Sequence, residues 1–175
     1  MTTDPKPKPE LIRYAFGRSS LGRFIAAASD KGLVVFEFGE NEADLLALLT
    51  ARLSEAKFEH DDFGLQDTLR KLERVVEHPE ENAGIAIDPR GDPYQKQVWG
   101  LLQGIPVGET TTYGALAAKL GTRDARGVTE AISLNPVAIL IPCHRVVKKD
   151  GSISGYRWGG GRKRALLKKE QNLTK

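Results

Sequence analysis

The charges of this chain fall into two blocks that meet at Asp88-Pro89-Arg90-Gly91. Residues 1–88 hold 11 Lys/Arg against 17 Asp/Glu, and residues 89–175 hold 15 against 6. Taken alone, such blocks also suit two solvated faces. A balance of −6 followed by +9 nevertheless predicts two units of similar length, 1–88 and 89–175, joined at the Pro- and Gly-bearing segment. Only the second unit has the charge to meet a polyanion, and the acidic unit should face away from it.

Composition and cysteine count exclude several classes. With 40% apolar and 28% charged residues the chain can bury a core. No apolar run approaches the roughly 20 residues that span a bilayer. Met1 to Glu10 is polar and carries prolines, unlike the apolar core of a secretory signal. A single cysteine makes no intramolecular disulfide and no cysteine-rich zinc site, and His60, His78 and His144 lack metal-ligand spacing. We expect a reduced, cytoplasmic protein without membrane attachment, metal or cofactor.

The first unit reads as α/β, a small antiparallel sheet with helices. Glu10–Gly17, Arg23–Ala28 and Gly32–Phe38 have strand character, separated by short Ser/Gly and Asp-Lys-Gly turns. Asn41 can cap a helix over Glu42–Leu53, and leucines at helical spacing predict a second over Phe63–Val76. Gly84–Ile87 reads as one more short strand. Asp61-Asp62 and Glu80-Glu81 read as surface carboxylates.

The second unit reads as helical. Asp92-Pro93 caps and starts a helix to about Gln103, with Trp99 on its core face. Thr111 or Thr112 can cap Tyr113–Leu120, Gly121 ends that helix, and Asp124 can cap Ala125–Leu134. Two short helices about a glycine turn form a helix-turn-helix pattern, which is also common in plain helical bundles. Asn135-Pro136 stops the second helix, and the apolar run Val137-Ala138-Ile139-Leu140-Ile141 leads to Pro142-Cys143-His144-Arg145.

Cys143 is the only thiol, and a buried cysteine is often no more than a small hydrophobe. Its setting is a long, specific string: PCHRVV, then Asp150-Gly151, Ser154-Gly155-Tyr156 and a basic C-terminal segment. IPVGETTTY upstream, the Ala-Arg pair, Asn-Pro and IPCHRV follow in that order. Over residues 91–170 the chain closely resembles the O6-alkylguanine-DNA alkyltransferases. The SGYRWG run is most similar to the methyltransferase domain of bacterial adaptive-response regulators.

That resemblance implies a first unit of RNase-H-like topology serving as support. The second unit would be all-α with a winged-helix or helix-turn-helix DNA-binding element. It implies single-turnover, irreversible transfer of a methyl or alkyl group from O6 of guanine, and also O4 of thymine, in double-stranded DNA to Cys143. The thioether formed cannot be released by thiol exchange, which breaks sulfur–sulfur bonds. His144 would activate the thiol through a water, Glu170 would orient His144, and Asn135 would tie the recognition helix to the active-site strand. Because the target atom lies inside the duplex, the base must be flipped out. Arg126 matches the arginine that enters the stack, and Tyr113 the tyrosine that crowds the phosphate and meets the purine. Backbone groups of Cys143, Val146 and Arg157 would read the guanine edge, with Tyr156 as a wall. Read alone, Glu170 would be a salt-bridging surface residue, Arg126 a surface arginine and Tyr113 a packed ring. Arg145 should pair with carboxylates or carbonyls. Lys148, Lys149, Arg162, Lys163, Arg164, Lys168 and Lys169 can contact phosphates.

Two departures stand out. After the arginine, where the family usually carries small or neutral residues, Gly127 weakens the helix and Glu130 adds a negative charge, and Arg157-Trp158 stands where human-like members carry small residues. Two further readings stay open, a non-catalytic binder of alkylated DNA and a helix-turn-helix transcription regulator. The expected protein is a monomer.

Overall fold

A computed structural model describes residues 8–81, 84–153 and 155–173. Met1–Pro7 and Ser154 of the sequence arguments lie outside the described residues. Three strands open the chain: β1 (Leu11–Ser19), β2 (Gly22–Ala28) and β3 (Leu33–Phe38). Both pairings are antiparallel, as the short turns dictate. Then come α1 (Glu42–Arg52), β4 (Lys57–His60) and α2 (Gln66–Glu77). β4 corrects the expectation of a purely antiparallel sheet, because it pairs parallel to β1 and gives the order β3-β2-β1-β4. The crossover through β2, β3 and α1 is long enough to bring the chain back in that sense. α2 starts three residues later than its leucine spacing suggested. Asp61 captures the Gly64 amide at 2.8 Å and holds the preceding turn, which leaves Phe63 90% exposed. The Gly84–Ile87 strand reduces to a single bridge, Ile87 to Leu33.

Both sheet faces are covered. Leu45 and Leu49 of α1 pack on Ile12, Ile25, Ala27, Val34 and Val35. The opposite face, with Phe24, Phe36 and Phe38, joins α2 and the second half in one core that includes Trp99, Val128, Val137 and Cys143. In β3, Ala27 pairs with Val35 and Ala28 with Leu33, so Val34 is an unpaired extra residue. Such a bulge shifts the in–out alternation. It puts Val34 and Val35 together on the α1 side.

The second half holds α3 (Pro93–Gln103), β5 (Thr111–Thr112), α4 (Tyr113–Lys119) and α5 (Ala125–Ser133). A 3₁₀ turn (Cys143–Arg145), β6 (Val146–Val147) and α6 (Gly160–Leu173) follow. The cap residues act as their chemistry suggests. Asp92 and Gln95 form a capping box, Thr112 accepts from the Ala115 amide, and Asp124 accepts from Arg126 and Gly127. Gly121, at φ 72°, turns the chain between α4 and α5. Trp99 is core, its indole Nε1 donating to Ala131 O at 2.8 Å. The half is not purely helical, since β5 and β6 make a two-residue parallel ladder that ties Thr111 to Val146.

The halves are stitched at the edge of β3. Phe36 donates to Pro136 O and accepts from the Ala138 amide, both at 2.9 Å. The loop leading to Cys143 is thereby anchored to the sheet.

Candidate active site

Cys143 begins a 3₁₀ turn rather than continuing an extended segment. Pro142 cannot donate a backbone hydrogen bond, and besides its backbone bonds the loop before it is held by a side chain. That side chain is Asn135, wholly buried just past α5. Its Nδ2 donates to Ile141 O at 2.8 Å and to Cys143 Sγ at 3.2 Å, and its Oδ1 accepts from the Val137 amide at 2.9 Å. Within this clamped loop Ile139 adopts φ 66°. A β-branched residue there is strained, and the surrounding contacts must hold it.

The thiol is buried, and burial pushes its pKa from the ordinary 9.0 up to about 11. The Asn135 amide and the positive charges of Lys163 and Arg157 pull the other way without overcoming burial. At rest the nucleophile is therefore a thiol, and its proton must go to a base.

His144 is fully buried beside it. Its Nε2 lies 2.7 Å from Glu170 Oε1. Burial lowers the imidazole pKa, against the pull of Glu170, so the ring is neutral. A neutral ring facing a carboxylate through Nε2 carries its hydrogen there. Nδ1 is then the basic atom, and it has no hydrogen-bond partner among the described residues.

Glu170 projects from α6 and is 1% exposed. Burial alone would raise its pKa, but hydrogen bonds from His144 and Arg145 bring it below the ordinary value. Arg145 donates from Nε to both Glu170 oxygens at 3.1 Å, from Nη2 to Oε1 at 2.7 Å, and from Nη1 to Ile105 O at 2.7 Å. The pairing expected of Arg145 is thus with the same carboxylate that orients the imidazole.

Lys163 differs from its expected phosphate role. It is 1% exposed and donates to Val146 O at 2.6 Å, and its charge favours the Cys143 thiolate. Arg162 also turns inward, donating to Leu21 O and Trp158 O, while Lys169 reaches Val76 O and Glu77. Arg162 and Lys169 thus join the halves, Lys163 is buried within the second, and Lys148, Lys149, Arg164 and Lys168 are left exposed. α6 has apolar positions to bury, and that seating carries its inner basic residues with it.

Other candidate residues fall around the thiol or outside it. Tyr113, the first residue of α4, is half-buried, and its hydroxyl pKa is raised by burial and by charge at Cys143. It lines an open concavity of about 700 Å³ with Thr112, Gly114, Ala115, Lys148, Lys149 and Asp150. Tyr156 is buried, with no partner for its hydroxyl among the described residues and Trp158 packed edge-on at 5.3 Å. Val146 is buried in β6, its amide donating to Cys143 O. Arg157 stacks over Trp158 at 5.6 Å. Arg126 is exposed at the start of α5, where the structure does not bring it against the thiol.

Similarity to known proteins gives the family. The family described as 6-O-methylguanine DNA methyltransferase, DNA binding domain, matches residues 93–172. The methylated-DNA–protein-cysteine methyltransferase of Methanosarcina barkeri is 35% identical over 162 residues, covering 91% of this chain and 97% of that protein. This chain belongs to the methylated-DNA–protein-cysteine methyltransferase family.

A further similarity within the family is to the Escherichia coli bifunctional transcriptional activator/DNA repair enzyme Ada, 38% identical over 160 residues. That match covers 91% of this chain and 45% of Ada, so the chain spans about half the length of that relative. The Mycobacterium tuberculosis methyltransferase OGT, solved in complex with DNA, superposes with a TM-score of 0.75 at 31% identity. The superposition covers 91% of this chain and 93% of that one. Among the described residues no helix is long and apolar enough to cross a membrane.

Proposed function

We propose that this methyltransferase-family chain repairs alkylated double-stranded DNA by direct reversal. In this reading Cys143 takes a methyl group from O6 of guanine, and also from O4 of thymine, once per molecule. The observation that carries it is the buried His144–Glu170 pair at 2.7 Å beside a buried thiol, with Nδ1 left as the basic atom. The proton leaves Sγ toward His144 Nδ1 through a water, and Sγ attacks the methyl carbon in line. A carbon–sulfur bond forms, the carbon–oxygen bond breaks, and its electron pair goes to the purine oxygen. The proton ends on the purine, leaving guanine and a thioether. Glu170 holds the imidazole tautomer and Asn135 fixes the sulfur.

Because Cys143 is 4% exposed, the base must leave the stack to reach it. Arg126 fills the gap in the duplex, and Tyr113 meets the phosphate and the purine. Backbone groups of Cys143, Val146 and Arg157 read the guanine edge against the Tyr156 ring. Val146 O already accepts from Lys163, and its second lone pair serves the base. Residues 1–88 act as an RNase-H-like support and 89–175 as the winged-helix-type DNA-binding and transfer unit. The protein works as a cytoplasmic monomer.

The test is intact-protein mass after incubation with a duplex containing O6-methylguanine. A gain of about 14 mass units, mapped to Cys143 and absent in Cys143→Ser, is expected. No gain, or a gain elsewhere, overturns the reading.

A further inference from the structure

Among the described residues of the first half, Glu37 is the only charged side chain withdrawn from solvent. A buried carboxylate is strongly unfavourable unless paired, and its Oε1 takes two arginines. Arg52 Nη2, from the last turn of α1, lies at 3.2 Å, and Arg157 Nη2 pairs with the same oxygen. Each arginine has a second bond. Arg52 Nη1 donates to Leu134 O at 3.3 Å and Arg157 Nη1 to Ser133 O at 3.4 Å. Those carbonyls end α5, where unsatisfied acceptors and the helix dipole favour cations.

Arg157 leads directly to the pocket. Its guanidinium covers the Trp158 ring, Trp158 packs against Tyr156, and its charge reaches Cys143. The two guanidiniums are also close enough to oppose each other. Without Glu37 they would repel, and Arg157, the partner borne on a loop, is the freer to move.

We propose that Glu37 is a positioning residue for the pocket wall: by holding Arg157 it fixes Trp158 and Tyr156 beside Cys143 and limits the size of the alkyl group accepted. The proposal rests on the alkyl-transfer reading and adds its substrate class, methyl over bulky groups.

The test compares transfer rates from duplexes carrying O6-methylguanine and O6-benzylguanine, in wild type, Glu37→Gln, Arg157→Gln and the double variant. DNA-binding effects cancel in the benzyl-to-methyl ratio, and loss of stability alone does not change it. Glu37→Gln should raise that ratio about twofold or more, with no further rise when it is added to Arg157→Gln. An unchanged or lowered ratio, or effects that add in the double variant, overturns the proposal. Should Glu37→Gln fail to fold, Arg157→Lys, which leaves Glu37 in place, must raise the ratio, and the proposal falls if it does not. A second arm uses iodoacetamide and N-benzyliodoacetamide on the single thiol. If wild type takes no methyl from DNA, the transfer reading fails, and this pair of reagents still judges the clamp by the same ratio.

Discussion

Asn135 Nδ2 bridges the sulfur of Cys143 and the carbonyl of Ile141, at 3.2 and 2.8 Å. One amide therefore sets both the position of the nucleophile and the shape of the loop that delivers it. Asn135→Ala leaves buried partners unsatisfied and should cost about 1–3 kcal/mol of stability. It also removes a donor that favours thiolate, so iodoacetamide alkylation of Cys143 should shift to higher pH. A variant with an unmoved profile would deny Asn135 any electronic part.

The raised thiol pKa has a stability signature. The folded protein keeps this proton to about pH 11, whereas the ordinary value is 9.0. Below pH 9 the thiol is protonated in both states and costs nothing. As pH climbs toward 11 the unfolded chain ionises first, and stability should fall by about 2–3 kcal/mol. Cys143→Ala should lack that loss. Denaturant midpoints of the two proteins between pH 8 and 11 give the comparison, and parallel curves would contradict the burial effect.

Glu170→Gln should damage more than catalysis. The carboxylate serves His144 and Arg145 together, so its removal strands a buried guanidinium at a cost of about 3–5 kcal/mol. The lowered Glu170 pKa means its contribution is present above the ordinary 4.5 and lost as pH falls through the folded value. His144, its pKa lowered by burial, is neutral in both states above 6.5 and costs nothing there, and it opposes folding as pH falls below that value because the unfolded ring takes the proton first. Acid denaturation of wild type should thus begin below about pH 6.5, and Glu170→Gln should start from a lower plateau. Unchanged stability in the variant would remove the structural half of this account.

Arg126→Ala separates base extrusion from chemistry. Unstacking costs a few kcal/mol, and each 1.4 kcal/mol left uncompensated is about tenfold in rate. The variant should lose repair on duplex DNA yet keep most reactivity toward the free base O6-methylguanine, which has no stack to leave. Equal loss on both substrates would assign Arg126 to the pocket or the fold.

DNA affinity should fall steeply with salt, because the exposed cations of the second half displace counterions. Lys148→Gln and Lys168→Gln should each reduce the salt slope, whereas buried Lys163 contributes no phosphate contact. A slope unchanged by the exposed lysines would place the DNA elsewhere.

Local chemistry was legible in the sequence, and long-range pairing was not. Asn41, Asp92, Thr112 and Asp124 cap their helices because the cap needs only neighbours three residues away or fewer. Cys143, His144 and Glu170 are legible only through the resemblance, and the structure pairs His144 with Glu170 at 2.7 Å while the sulfur of Cys143 meets Asn135. β4 escaped because Lys57-Phe58-Glu59-His60 has one apolar residue and depends on β1. Glu37 escaped for the opposite reason: a carboxylate within an apolar strand gives no sign of partners 15 and 120 residues away in the chain. Lys163 looked like its exposed neighbours, and only the seating of α6 distinguishes it.

β3 is the outer strand of its sheet, and an unpaired strand edge is a template for sticking to another chain. Here Pro136 and Ala138 occupy part of that edge by bonding to Phe36. The bonds that steady the reactive loop therefore also keep the sheet from recruiting strangers. Any event that dislodges Val137 would disarm the thiol and open a surface for self-association in a single motion.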